Sequence, residues 1–149
     1  MLRTAAAILI ATIAIAQTKD PLIGTWKLDR GNSEFQPEST MLERTLVIEA
    51  KGSGIFVSQQ TVAQDGHTVY VEYTASYDGK DVPISGSALD TVALKRVDAR
   101  KVERTGKVGG KEAEKATMSL SADNKTLTIV TKGTVSNVDY SSTQVFERQ

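Results

Sequence analysis

Alternation is the dominant pattern in this chain. Val69, Val71, Tyr73, Ala75 and Tyr77 are separated by Tyr70, Glu72, Thr74 and Ser76, a period of two that sets one face of a β-strand inward and a mostly polar face outward. Weaker alternation of the same kind runs through residues 24–29, 42–49, 55–63, 91–97, 101–107, 116–120, 126–131 and 138–146. Apolar residues nowhere recur at i, i+3, i+4 and i+7 over three turns, so the pattern predicts strands and no long helix.

Short turn signals separate these runs: Lys51-Gly52-Ser53-Gly54, Asp65-Gly66-His67, Asp78-Gly79-Lys80, Asp98-Ala99-Arg100, Gly109-Gly110 and Ala122-Asp123-Asn124-Lys125. Asx-Gly and Gly-Gly steps supply the positive-φ residues of tight hairpins, which makes successive strands antiparallel neighbours. Two longer connections interrupt the meander, Gly31 to Met41 with Pro37 and Asp81 to Ala88 with Pro83. A meander of about nine strands hides its edges by closing on itself. The predicted fold is therefore all-β, an up-and-down antiparallel barrel of about eight to ten strands, with room inside for side chains or one small ligand.

The first residues read differently. Arg3 precedes an apolar run from Ala5 to Ala16 that ends in Ala14-Ile15-Ala16, the order of a signal peptide with its n-region, h-region and small-x-small cleavage site. The run is too short for the ~20 residues of a membrane-spanning helix. Cleavage after Ala16 is expected, leaving residues 17–149 as one domain in the periplasm or outside the cell, with no membrane insertion. The chain has no cysteine, so neither a lipidated N-terminal Cys nor a disulfide is available, and burial and hydrogen bonding must hold the fold. Eighteen basic and eighteen acidic residues balance, which points away from nucleic acid and from anionic membranes as partners. A monomer is expected.

Gly24-Thr25-Trp26-Lys27-Leu28 near the start and Thr143-Gln144-Val145-Phe146-Glu147-Arg148 at the end resemble the two ends of calycin-superfamily barrels, which include lipocalins and fatty-acid-binding proteins. The segments Glu72–Asp81 and Thr91–Arg96 are similar to those of exported bacterial lipocalin-like proteins of unknown function. The resemblance implies a lipocalin-like barrel in which Trp26 plugs the closed end beneath Arg148. It also marks a departure. Fatty-acid-binding proteins hold a ligand carboxylate with an Arg-x-Tyr pair on the last strand, and the matching positions here are Gln144 and Phe146, which cannot form that charge-assisted clamp. The Gly31–Met41 connection is also too short, and too rich in Gly, Asn, Ser and Pro, for that family's helix-turn-helix lid.

Candidate chemistry is sparse. Trp26, Tyr73, Tyr77, Tyr140 and Phe146 either line a pocket or fill the core. Tyr140, Ser142, Gln144 and Phe146 share one strand face. Gln59, Ser142 and Gln144, if inward, each need a partner. The candidate ligand-binding set is therefore Tyr73, Tyr77, Tyr140, Ser142, Gln144 and Phe146. Arg96 and Arg104 are placed outward, because long charged side chains prefer solvent, and Lys107–Lys115 reads as a solvated hairpin. His67, the only histidine, falls in a turn, where a general base is hard to orient. One His and no Cys exclude a nitrogen or sulfur metal site, and Asn124-Lys125-Thr126 matches a glycosylation sequon by chance. No catalytic set, metal or cofactor is expected. These readings converge on a non-catalytic extracytoplasmic protein that binds a small, largely apolar, neutral molecule such as a lipid. A structural or protein-interaction module of the cell envelope is the alternative.

Overall fold

The computed structural model describes residues 19–149, so the expected leader, residues 1–16, lies outside the described residues. The described chain forms β1 (Gly24–Leu28), a single 3-10 turn (Arg30–Asn32), β2 (Glu34–Gln36), β3 (Met41–Lys51), β4 (Gly54–Ala63), β5 (Thr68–Ala75), β6 (Val82–Ser85), β7 (Thr91–Asp98), β8 (Lys101–Val108), β9 (Lys111–Leu120), β10 (Thr126–Val135) and β11 (Val138–Arg148). Each strand from β3 onward pairs antiparallel with the next, and β1 pairs with both β3 and β11. This closes a ten-stranded meander barrel, the calycin-type architecture.

Tight turns set the register. Gly109 and Gly110 join β8 to β9 with φ of 56° and 78°, and Ser136 and Asn137 join β10 to β11 with φ of 52° and 62°, the double positive-φ geometry that matches the twist of a two-residue hairpin. β2 takes a less regular route. After β1 the chain steps off β11 through the 3-10 turn, which Asp29 caps by accepting from the Asn32 amide at 3.2 Å. It then rejoins the same strand with Phe35 opposite Ser142. β1 and β2 thus share one edge of β11. The first half of β3 faces β2 without a ladder, and the Arg30 guanidinium spans that split, donating to the Ser39 carbonyl at 3.0 Å and to Glu38 at 2.8 Å.

Alternation sorts the interior into two halves. Toward one end the inward residues are apolar: Leu28, Leu46, Ile48, Ile55, Val57, Leu94, Val102, Met118, Leu127 and Phe146 are all buried. That end is closed by the segment before β1. Leu22 is buried, and its carbonyl accepts the Trp26 indole N–H at 3.0 Å. Arg148 lies 4.1 Å over the Trp26 ring and donates to the carbonyls of Pro21, Ile23 and Asn124 at 2.6, 2.8 and 2.8 Å. A second pair repeats the motif: Arg96 stacks 4.1 Å over Tyr77, and both bond Asp20. The other end, ringed by the β4–β5, β6–β7, β8–β9 and β10–β11 turns and by Gln36–Ser39, is open.

Candidate ligand site in the open half of the barrel

Above the apolar floor lies a cavity of about 300 Å³, at the small end of the range for ligand sites. Met41, Leu46, Val57, Leu89, Met118 and Ile129 give it apolar walls, while Arg44, Gln59, Tyr73, Arg104, Glu114, Thr131, Tyr140, Ser142 and Gln144 give it a polar belt. Residues far apart in sequence meet here because each occupies the inward parity of its strand.

The belt is built on cross-strand pairs. Glu114 is opposite Gly106 on β8 and Gly133 on β10, and Gly133 is opposite Tyr140 on β11. A Cβ on Gly133 would stand 2.6 Å from the Tyr140 hydroxyl; its absence lets the Tyr140 ring lie across β10 and donate to Glu114 Oε2 at 2.7 Å. The other carboxylate oxygen accepts from Arg104 Nη2 at 2.8 Å, a diagonal neighbour one pair further along β8. Burial, reinforced by that bond to Glu114, raises the Tyr140 pKa, so the phenol remains a donor. Each carboxylate oxygen of Glu114 is thus engaged by one donor.

Arg44 forms a second cluster. Arg44 is inward by the parity of Leu46 and Ile48, and a bulge between Met41 and Glu43 brings Met41 to the same face, as a two-against-one pairing does. Arg44 Nε donates to Thr61 at 3.0 Å, and Nη1 donates to Gln144 Oε1 at 2.6 Å across the β3–β11 split. The Gln144 amide in turn donates to Ser142 at 3.0 Å. Both of Arg44's partners are neutral. Burial, with Arg104 nearby, pushes its guanidinium down to about 10, which still leaves it charged at neutral pH. Thr131 Oγ1 is buried in the same belt without a hydrogen-bond partner among the described residues, and Tyr73 Oη, buried against the Arg104 guanidinium, finds no acceptor for its own proton.

Several expectations need correction. Arg104 faces inward, not outward: Val102, Arg104 and Gly106 share one parity of β8, while Lys101, Glu103 and Lys107 hold the other. The same parity buries Glu114 beside Ala116, Met118 and Leu120, so Lys107–Lys115 is solvated on its outer face and at its tip but not at Glu114. Arg96 is half-buried at the closed end. Of the six candidate ligand residues, Tyr73, Tyr140, Ser142 and Gln144 line the cavity. Tyr77 lies past the end of β5 and braces the closed end against Asp20, and Phe146 is fully buried in the apolar floor. Val69, given the inward parity of β5, is 45 % exposed at the rim. Arg104 and Glu114 were thus assigned to solvent, and Arg44 was missed, although it shares parity with Leu46 and Ile48 and could have been found from that alone. A neutral ligand was expected because the inward face of the closing strand, Tyr140, Ser142, Gln144 and Phe146, carries no charge; two inward arginines against one carboxylate remove that premise. His67 is an exposed turn residue whose amide donates to Asp65 at 2.9 Å.

No protein-family model matches this chain, and no curated protein matches it either. Among solved structures it is similar to zebrafish ileal bile acid-binding protein complexed with cholic acid, at 11 % identity and a TM-score of 0.54, over 87 % of this chain and 99 % of that one. At that identity the likeness concerns the fold: a closed, all-β, calycin-type barrel.

Proposed function

We propose that this protein is a non-catalytic binding protein that holds one small, largely apolar molecule in the open half of its barrel, outside the cytoplasm. The observation that carries the reading is the cavity itself, an apolar floor beneath a belt of oriented polar groups, among them a buried Thr131 hydroxyl without a protein partner. A barrel filled by its own side chains, which the interaction-module alternative requires, would leave no such space. The similar zebrafish barrel is a bile acid-binding protein, which supports ligand binding over catalysis. Both oxygens of Glu114 are held by Arg104 and Tyr140, and among the described residues no three His, Cys, Asp or Glu side chains gather as a metal site would need.

Export rests on the leader pattern and places Gln17 at the mature N-terminus. Among the described residues the closed-end contacts begin at Asp20, and these do not involve residues 1–16. Intact-mass measurement of protein from the producing cells should find a chain starting at Gln17; a chain retaining Met1 in the cytosolic fraction refutes export. For binding, titration with the neutral apolar dye Nile red should show one saturable site, weakened at least tenfold by Val57→Trp, which fills the cavity. Absence of binding, or equal binding by the filled variant, refutes the reading.

A further inference from the structure

We propose that the cavity receives the headgroup of an amphipathic carboxylate and that Arg44 is the residue that meets it. This rests on the reading of the cavity as a ligand site and names the ligand's chemical class.

Charge is the first observation. Three charged side chains line the cavity, Arg44, Arg104 and Glu114. Arg104 and Glu114 neutralise each other at 2.8 Å, which leaves Arg44 as one uncompensated positive charge. Among the described residues no carboxylate lies within ion-pair distance of it; its partners are the Thr61 hydroxyl and the Gln144 amide oxygen. A partly buried cation held only by neutral dipoles carries a desolvation cost that an incoming anion offsets. Nη2 makes no protein hydrogen bond among the described residues, so the guanidinium keeps N–H groups for a planar carboxylate.

The second observation is independent of charge. Tyr73 and Thr131 are each at 5 % exposure and line the cavity; the Thr131 hydroxyl has no protein partner, and the Tyr73 hydroxyl, which lies against the donor-only Arg104 guanidinium, has no protein acceptor for its own proton. They are donors left for a ligand oxygen. The charge count also sets the valence. One surplus positive charge matches a monoanion, whereas a phosphate monoester brings about −1.5 to −2 and would leave the site negative. Below the belt, Leu46, Val57, Met118 and Ile129 offer the apolar wall that a short alkyl or alicyclic body needs.

The site differs in construction from a clamp on the last strand. Here the cation comes from β3, and the last strand supplies Gln144, which orients it. A carboxylate arriving at Arg44 competes with Gln144 Oε1 for the same guanidinium, and the displaced amide keeps its bond to Ser142.

The test is calorimetric titration at pH 8 with sodium decanoate, 1-decanol and decyl phosphate. Decanoate should bind at least tenfold tighter than decanol and tighter than decyl phosphate. Arg44→Gln, which preserves a donor for Gln144, should weaken decanoate at least tenfold and move decanol by less than threefold; Arg44→Lys should fall between. A second measurement needs no variant: the carboxyl signal of 13C-labelled decanoate in the wild-type complex should titrate below its free pKa. The proposal is overturned if decanoate binds no tighter than decanol, if decyl phosphate binds tighter, if Arg44→Gln weakens both ligands alike, or if the bound acid protonates above its free pKa. Should decanol and Nile red bind while decanoate gains nothing, the cavity reading stands and the headgroup assignment falls. Should none bind, both fall.

Discussion

Gly24 shows what the glycine of the Gly24-Thr25-Trp26 triplet does. Its φ is +150°, and a Cβ there would stand 2.5 Å from Arg148 Nη1. Gly24 and Trp26 share one strand face, so the guanidinium crosses the bare glycine to reach the indole. Trp26→Ala should cost about 3–5 kcal/mol, as truncation of a core aromatic does. Arg148→Ala is expected to approach that figure, because it leaves three carbonyls near the plug without their donor and each bond to a charged group contributes about 1.5–3 kcal/mol. Gly24→Ala should lower stability by displacing the same arginine. Urea melts of the three variants check the order, and a neutral Arg148→Ala refutes its role as the hub of the closed end. Arg44 predicts the opposite sign: Arg44→Gln should raise ligand-free stability by roughly 1 kcal/mol, since a desolvated, unneutralised charge is replaced by a neutral donor. That gain would accompany the loss of carboxylate binding, and a destabilised variant would instead mark the Arg44–Gln144 bond as structural.

Strands with clear alternation were readable because one face must be apolar. That is why every predicted run coincides with a strand, from β1 through β3, β4 and β5 to β7–β11, although β1 stops at Leu28 and β5 at Ala75, short of the predicted ends at Asp29 and Tyr77. β2 and β6 were read as connections for a physical reason: each is short, touches a proline and makes few ladder pairs, three for β2 and two on each side for β6, so pairing rather than side-chain pattern defines it. The polar belt was legible in parity but concealed by the preference of charged residues for solvent, which a partner such as Glu114 overrides. The bulge at Leu42 cannot be read from alternation, and it sets the face of Met41. Since β2 pairs only with β11 and is tied to β3 through Arg30, Arg30→Ala should loosen it locally. Hydrogen exchange should show at least tenfold less protection in Glu34–Gln36 and Met41, with β7–β9 unchanged. Uniform loss of protection would mean that β2 is integral to barrel closure.

At the scale of the molecule, a barrel without disulfides depends on closing its ring between β1 and β11, strands from opposite ends of the chain. The three-pair register of Trp26, Lys27 and Leu28 with Arg148, Glu147 and Phe146 is short for that task. The plug reinforces it. Asp20 ties the Tyr77–Arg96 pair to the N-terminal segment, Pro21 and Ile23 accept from Arg148, and Leu22 fills the floor, a burial worth about 2 kcal/mol. Two truncations separate the plug from whatever precedes it. A chain beginning at Lys19 keeps all of these contacts and should melt like the form beginning at Gln17. A chain beginning at Gly24 loses Leu22, the acceptor of the Trp26 indole and two of the three carbonyls on Arg148, and should lose well over 2 kcal/mol. Trp26 reports directly, being the only tryptophan and fully buried: its emission should shift to the red in the shorter chain as water reaches the closed end, while the longer chain stays blue. If the two chains match in melting and emission, the ring closes without its plug, and the ladder between β1 and β11 suffices to hold the barrel.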